Sequence, residues 1–159
     1  MTQLTAVERR LIGLLQENAR MTNKDLARAA GIAESTCHEK VRSLQSRGVI
    51  HGFHAEVDLR ALGRAIRALI TVRLQPKTTS SVNAFHKDIL EATETLAIDT
   101  VTGADDFIIE VAVPDVESLR TFVLEHITSR SDVADARTSL VYEHHRRFVL
   151  EFLDTSPYR

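Results

Sequence analysis

The sequence predicts an α+β fold in two parts: a winged helix-turn-helix over residues 1–64, then a ferredoxin-like βαββαβ sandwich over residues 65–159. Three observations carry this. Residues 22–50 hold two short helical apolar periods separated by Gly31. After residue 64 the apolar residues shift toward strand-like runs. That second part then reads strand, helix, strand, strand, helix, strand, with turn or capping residues at most of the joints.

A first helix is predicted from Thr5, with Glu8 at the capping-box position. Val7, Leu11, Ile12 and Leu15 form its buried stripe, and Asn18, Ala19 and Arg20 close it. Thr22 caps a second helix, and Asp25 can reach back to the cap N–H. Leu26, Ala27 and Ala30 face inward, and Gly31 ends the helix because it tolerates positive φ. A third helix is predicted from Glu34 to Arg47, with Cys37, Val41 and Leu44 on one narrow inner face and Gly48 as its stop. Its outer face holds Ser35, Thr36, His38, Glu39, Lys40, Arg42, Ser43 and Arg47. A short helix, a tight turn and a second helix with a polar outer face is how a recognition helix is presented to the major groove. Any helical hairpin with a solvated face shares this pattern.

Residues 49–58 are β-leaning and are predicted to form one or two short strands, a wing. His51 and His54 lie in it. They could touch a nucleic-acid backbone, pair at a metal, or be polar edges of an exposed strand; opposite pointing at i and i+3 disfavours the metal. Residues 59–64 are predicted to form a short hinge turning at Gly63.

In the second part, residues 68–74 form a strand rich in β-branched residues. A loop around Pro76 leads to a helix marked by Val82, Phe85, Ile89 and Leu90. A strand over about 96–102, a turn at 103–106 and an alternating strand with Phe107, Ile109, Val111 and Val113 on one face follow. Asp115 caps a helix with Val116, Leu119, Val123 and Ile127 inward, and the last strand covers about 135–143. Four antiparallel strands then carry two helices on one face. The other face holds enough apolar side chains to need covering by a second subunit. The apolar tail, 148–153, is expected to pack on a neighbour or to add an edge strand.

Composition sets the class. No apolar run is long enough to span a bilayer, no signal peptide is visible at the start, and Cys37 is the single cysteine. A soluble, cytoplasmic protein is expected. The net charge of −2 is uneven: residues 1–64 hold ten Lys/Arg and seven Asp/Glu, so +3, and residues 65–159 hold ten and fifteen, so −5. The positive part coincides with the helix-turn-helix, the sign that phosphate contacts require.

The chain resembles the Lrp/AsnC, or feast/famine, transcription regulators from Leu4 to about Glu143. The residues that carry the resemblance in the first part are Leu4, Arg20, Asp25-Leu26-Ala27, Gly31-Ile32, Ser35 to Cys37, Val41-Arg42-Ser43-Leu44, Arg47-Gly48-Val49-Ile50 and Gly52. In the second part they are Val101-Thr102-Gly103, Asp106-Phe107, Val113-Pro114-Asp115 and Arg137-Thr138. The resemblance implies a winged helix-turn-helix and an effector-binding, oligomerising βαββαβ domain. It also implies homodimers that assemble to octamers, and an amino-acid effector that changes DNA affinity or assembly. The chain departs from the family at Ala33, where a serine is usual, at Lys40 for an arginine, at Thr5 for an aspartate, and at Asp99 for an aromatic residue or histidine. The missing hydroxyl at Ala33 should cost about 1 kcal/mol of helix capping. Lys40 loses the bidentate fork, while Glu39 can accept from a cytosine amino group.

The residues expected at DNA are Ser35, Thr36, His38, Glu39 and Arg42 on bases, with Lys40 and Arg47 on phosphates. Cys37 reads as a small core residue. For the effector, Gly103 and Ala104 turn the backbone so that N–H groups suit a carboxylate, and Asp105 or Asp106 could take an ammonium. Phe107 ends this turn, and Thr138 and Ser139 on the last strand could complete the pocket across a subunit boundary; without the resemblance this reads as a β-turn with solvated aspartates. The seven histidines show no metal-ligand spacing and no phosphate-binding loop is present, so no metal, cofactor or enzyme is expected. The alternatives are an architectural DNA binder without effector and a tetrapyrrole decarboxylase that looks like this family.

Overall fold

The computed structural model describes residues 4–153. The chain divides into two units, one of residues up to Ala55 together with the tail from His145, the other Glu56 to His144. The sequence-based division at 64/65 places both the hinge and the tail differently. The turn at 58–64 belongs with the second unit, and the tail with the first.

The first unit contains α1 (Ala6–Glu17), α2 (Asn23–Ala30) and α3 (Glu34–Ser46). The cap residues set their limits. At α1 the Thr5 hydroxyl accepts the Glu8 N–H at 3.2 Å while the Glu8 carboxylate accepts the Thr5 N–H at 2.7 Å, a complete capping box. Thr22 caps α2 in the same way through the Asp25 N–H at 3.1 Å. Gly31 ends α2 at φ 72°, the left-handed conformation expected there. The helices close over a core of Leu11, Leu15, Leu26, Ala27, Ala30 and Cys37, flanked by Val41 and Ile50. Cys37 is fully buried, and burial pushes its thiol pKa up.

The structure differs from the sequence reading at the wing, and it excludes one of the two readings of the tail. α3 ends at Ser46, and Arg47 is its cap. Residues 51–58 form no strand. A strand needs a partner for its N–H and C=O row, and these residues find none within the described chain. The tail adds no edge strand either. It runs along α1, where the Gln16 amide donates to the Leu150 carbonyl at 3.2 Å and accepts the Leu150 N–H at 2.8 Å. The Arg9 guanidinium lies 5.0 Å over the Phe152 ring.

The second unit runs β1 (Ile66–Leu74), α4 (Thr79–Glu91), β2 (Thr95–Thr100), β3 (Phe107–Val113), α5 (Val116–Phe122) and β4 (Val133–Leu140). A π-helical segment, Val123–Thr128, extends α5. The antiparallel sheet has the order β2-β3-β1-β4 with the helices on one face, the predicted ferredoxin-like topology. Ala68, Ile70, Val72 and Leu74 of β1 and Phe107, Ile109, Val111 and Val113 of β3 pack with Phe85, Ile89, Leu119, Phe122 and Ile127. Val116, expected inward, is exposed, and so is Leu90 of the helical repeat in α4. Leu90 lies one residue, about 100° of helix rotation, beyond the buried Ile89, and Val116 sits in the first turn.

The opposite face of the sheet carries Leu69, Thr71, Ile108, Ala97 and Asp99, with Arg67 paired to Glu110 across it. Leu69 remains 38% exposed, which leaves this face partly apolar toward solvent. Among the described residues no helix is long and apolar enough to cross a membrane.

Candidate functional site

The outer face of α3 follows from its inner one. Cys37 and Leu44 are fully buried and Val41 partly so, which turns Ser35, His38, Glu39 and Arg42 to solvent and leaves Thr36 and Lys40 half-buried at the margins. None of these six polar side chains has a hydrogen-bond or ion-pair partner among the described residues. They form a surface of donors, acceptors and charge with no internal use. The helix starts at Ala33, whose backbone (φ −67°, ψ 148°) is that of an N-cap but which makes no side-chain cap bond. The Asn23 side chain instead donates to the Glu34 carbonyl at 3.0 Å, joining α2 to the start of α3.

Arg47, expected on phosphate, stands apart. Its guanidinium donates to the Glu8 carboxylate at 2.5 Å. Glu8 is only 5% exposed, and the Thr5 N–H, then Arg47, hold its carboxyl down to about 2. Sequence reasoning placed Glu8 in its capping box. It had no signal for a partner 39 positions away.

The effector turn joins β2 to β3. The Val101 N–H donates to the Asp106 carbonyl and the Asp106 N–H to the Val72 carbonyl, each at 2.9 Å, so the base of the loop is fastened to β1. Gly103 has φ 124°, a conformation that side-chain-bearing residues rarely adopt. Gly103 and Ala104 are exposed, and the N–H groups of residues 102–105 make no hydrogen bond among the described residues. Asp105 accepts two hydrogen bonds from Arg137 of β4, at 2.7 and 2.8 Å.

Two residues of the expected site are committed elsewhere. Asp106 is buried: one carboxylate oxygen accepts the Leu74 N–H at 2.8 Å and the other pairs with Lys77 at 2.5 Å. Lys77 and the Leu74 N–H hold its carboxyl below the usual range. Phe107 is fully buried, its ring 4.8 Å from that of Phe85. Thr138 and Ser139 are both exposed but face opposite ways. Thr138 lies opposite Ile70 on the helix side, and Ser139 opposite Leu69 on the open side with Arg137. One pocket therefore cannot take both side chains from one protomer. Sequence reasoning missed Arg137 and Lys77 as the partners of the turn aspartates. Both lie far along the chain from residues 105 and 106.

The His54 ring lies over Gly52, so close that a Cβ there would fall 2.6 Å from its Nε2. No group of three or more metal-ligating side chains converges among the described residues.

Residues 4–51 match the winged helix-turn-helix DNA-binding model, and residues 67–149 match the Lrp/AsnC ligand binding domain. The chain is 42% identical over 144 residues to the HTH-type transcriptional regulator AldR of Mycobacterium tuberculosis, spanning 91% of this chain and 80% of that one. It is 30% identical over 138 residues to the leucine-responsive regulatory protein of Rhizobium meliloti, covering 87% and 88% of the two chains. The crystal structure of MtbAldR superposes with a TM-score of 0.73 at 40% identity, covering 91% of this chain and 97% of the other. A Neisseria meningitidis transcriptional regulator solved as an L-Met complex superposes at 0.83 over 91% and 94% of the chains; at 23% identity it speaks for the fold. These relatives are named as regulators, not enzymes. With one model on the helix-turn-helix and the other on the sheet domain, the chain belongs to the Lrp/AsnC family of DNA-binding transcriptional regulators.

Proposed function

We propose that this regulator reads specific operator sequences through the outer face of α3 and changes its DNA affinity or assembly when an amino acid binds at the turn between β2 and β3. The observation that carries the DNA half is the set of six unengaged polar side chains, Ser35, Thr36, His38, Glu39, Lys40 and Arg42, on one helix face. Side chains at the start of such a helix reach base edges, and charges along it meet phosphates.

The effector half is supported by the unbonded N–H groups at 102–105, which suit a carboxylate. The exposed Arg137–Asp105 pair sets opposite charges beside them, matching the two ends of a zwitterion. The L-Met complex and the leucine-responsive relative point to the same ligand class. The open, partly apolar sheet face around Leu69 supports a homodimer built sheet to sheet, and dimers joining into an octamer would bring several α3 helices to spaced half-sites. The protein then works in the cytoplasm, with DNA, itself and a small effector as partners, and without a cofactor.

The test is fluorescence anisotropy at fixed salt on the fragment upstream of the protein's own gene, alone and with each of the twenty amino acids, beside sedimentation of the same samples. A severalfold shift in affinity or assembly with one or two amino acids is expected. Tight binding that no amino acid changes would remove the effector half. A Leu69→Asp variant that sediments like the wild type would remove the sheet-to-sheet dimer.

A further inference from the structure

We infer that Arg47 is a positioning residue for the DNA-reading helix, anchored by Glu8, and not a phosphate contact. The inference rests on α3 being the helix that enters the groove.

Arg47 caps α3, its N–H donating to the Ser43 carbonyl at 3.0 Å. Its guanidinium reaches across to Glu8 in the first turn of α1. The second Glu8 oxygen accepts the Thr5 N–H, and the Thr5 hydroxyl accepts the Glu8 N–H. The end of α3 is thus tied to the start of α1 through one buried carboxylate with both oxygens in use. Turning Arg47 toward a phosphate would leave that carboxylate buried without its cation, which is costly. Lys40 and Arg42, on the same helix, have no such partner to abandon and stay available. The start of α3 lacks a side-chain cap at Ala33, so the clamp at its far end has more of the placement to do.

The experiment uses the full-length protein and a duplex selected by the wild type from a randomised library, with affinity measured by anisotropy at several salt concentrations. Glu8→Gln keeps the capping box, which glutamine also fills, so the variant folds while the charge is lost. Glu8→Gln and Arg47→Ala should each weaken specific binding by a similar factor, about tenfold, with the double variant no weaker than either. The slope of log affinity against log salt should stay at the wild-type value, non-specific binding should change little, and Arg47→Lys should recover part of the loss. Lys40→Ala is the contrast: losing a phosphate contact lowers the slope by about 0.9.

A slope lowered by Arg47→Ala with wild-type binding by Glu8→Gln would overturn the inference. So would additive losses in the double variant, or a loss explained by a smaller active fraction in stoichiometric titration. If Lys40→Ala and Arg47→Ala both bind as wild type, the reading of α3 as the recognition helix fails and the positioning role fails with it.

Discussion

The Asp106 carboxylate accepts the backbone N–H of Leu74 at 2.8 Å, tying the end of the β2–β3 turn to the last residue of β1, 32 positions earlier. The bond satisfies an amide at the strand's end, where the register with β4 also slips. It explains why an acid follows the turn without being free to hold a ligand.

Replacing Asp106 with Ala should therefore destabilise the sheet domain by about 2–3 kcal/mol, the cost of leaving a buried amide without its charged acceptor. Lys77→Ala leaves the buried carboxylate its amide bond, and because Lys77 is half exposed solvent can take part of its place, so the cost should be smaller, about 1–2 kcal/mol. Urea unfolding of both variants measures the difference. Equal costs would mean that the ion pair, not the amide bond, is what matters.

Acid should loosen the helical unit through Glu8. Its folded-state carboxyl lies near 2, below the ordinary value of 4.5, so its contribution is complete above about pH 4.5 and is lost as the pH falls toward 2. The stability gap between wild type and Glu8→Gln should be constant from about pH 7 to 5 and narrow between about 4.5 and 2. A gap unchanged at about pH 3 would contradict the assignment.

Ala33→Ser should stabilise the protein by about 1 kcal/mol, since the backbone at 33 already has N-cap geometry and lacks only the hydroxyl. A rise in the denaturation midpoint of the helical unit is the readout. No change would mean that the first-turn N–H groups of α3 are already well served.

Gln16→Leu keeps the apolar stem of the side chain but removes both of its bonds to Leu150. Hydrogen exchange at the Leu150 amide should accelerate at least severalfold, while the Leu11 and Leu15 amides inside α1 stay protected. Unchanged exchange at Leu150 would show that the Arg9 contact with Phe152 suffices to hold the tail.

Features set by near neighbours were legible in the sequence. Thr5 with Glu8, Thr22 with Asp25, Gly31 and Asp115 mark helix ends because capping acts within a few residues. Alternation made the inner face of β3 readable, and helical spacing did the same for Cys37, Val41 and Leu44. At an element's margin, as at Val116, periodicity alone does not say how far the buried stripe extends.

Short-range period and capping were thus enough for the two-part α+β plan, the element order, most of the core and the polar face of α3. Which polar residues remain available was settled by the folded chain. Glu8 takes Arg47, Asp106 takes Leu74 and Lys77, Asp105 takes Arg137, and Phe107 goes to the core. Folding likewise left residues 51–58 without a strand partner among the described residues and laid the tail on α1. These outcomes depend on which distant groups meet, and a hydrogen bond or ion pair between residues tens of positions apart leaves no local pattern by which to read it.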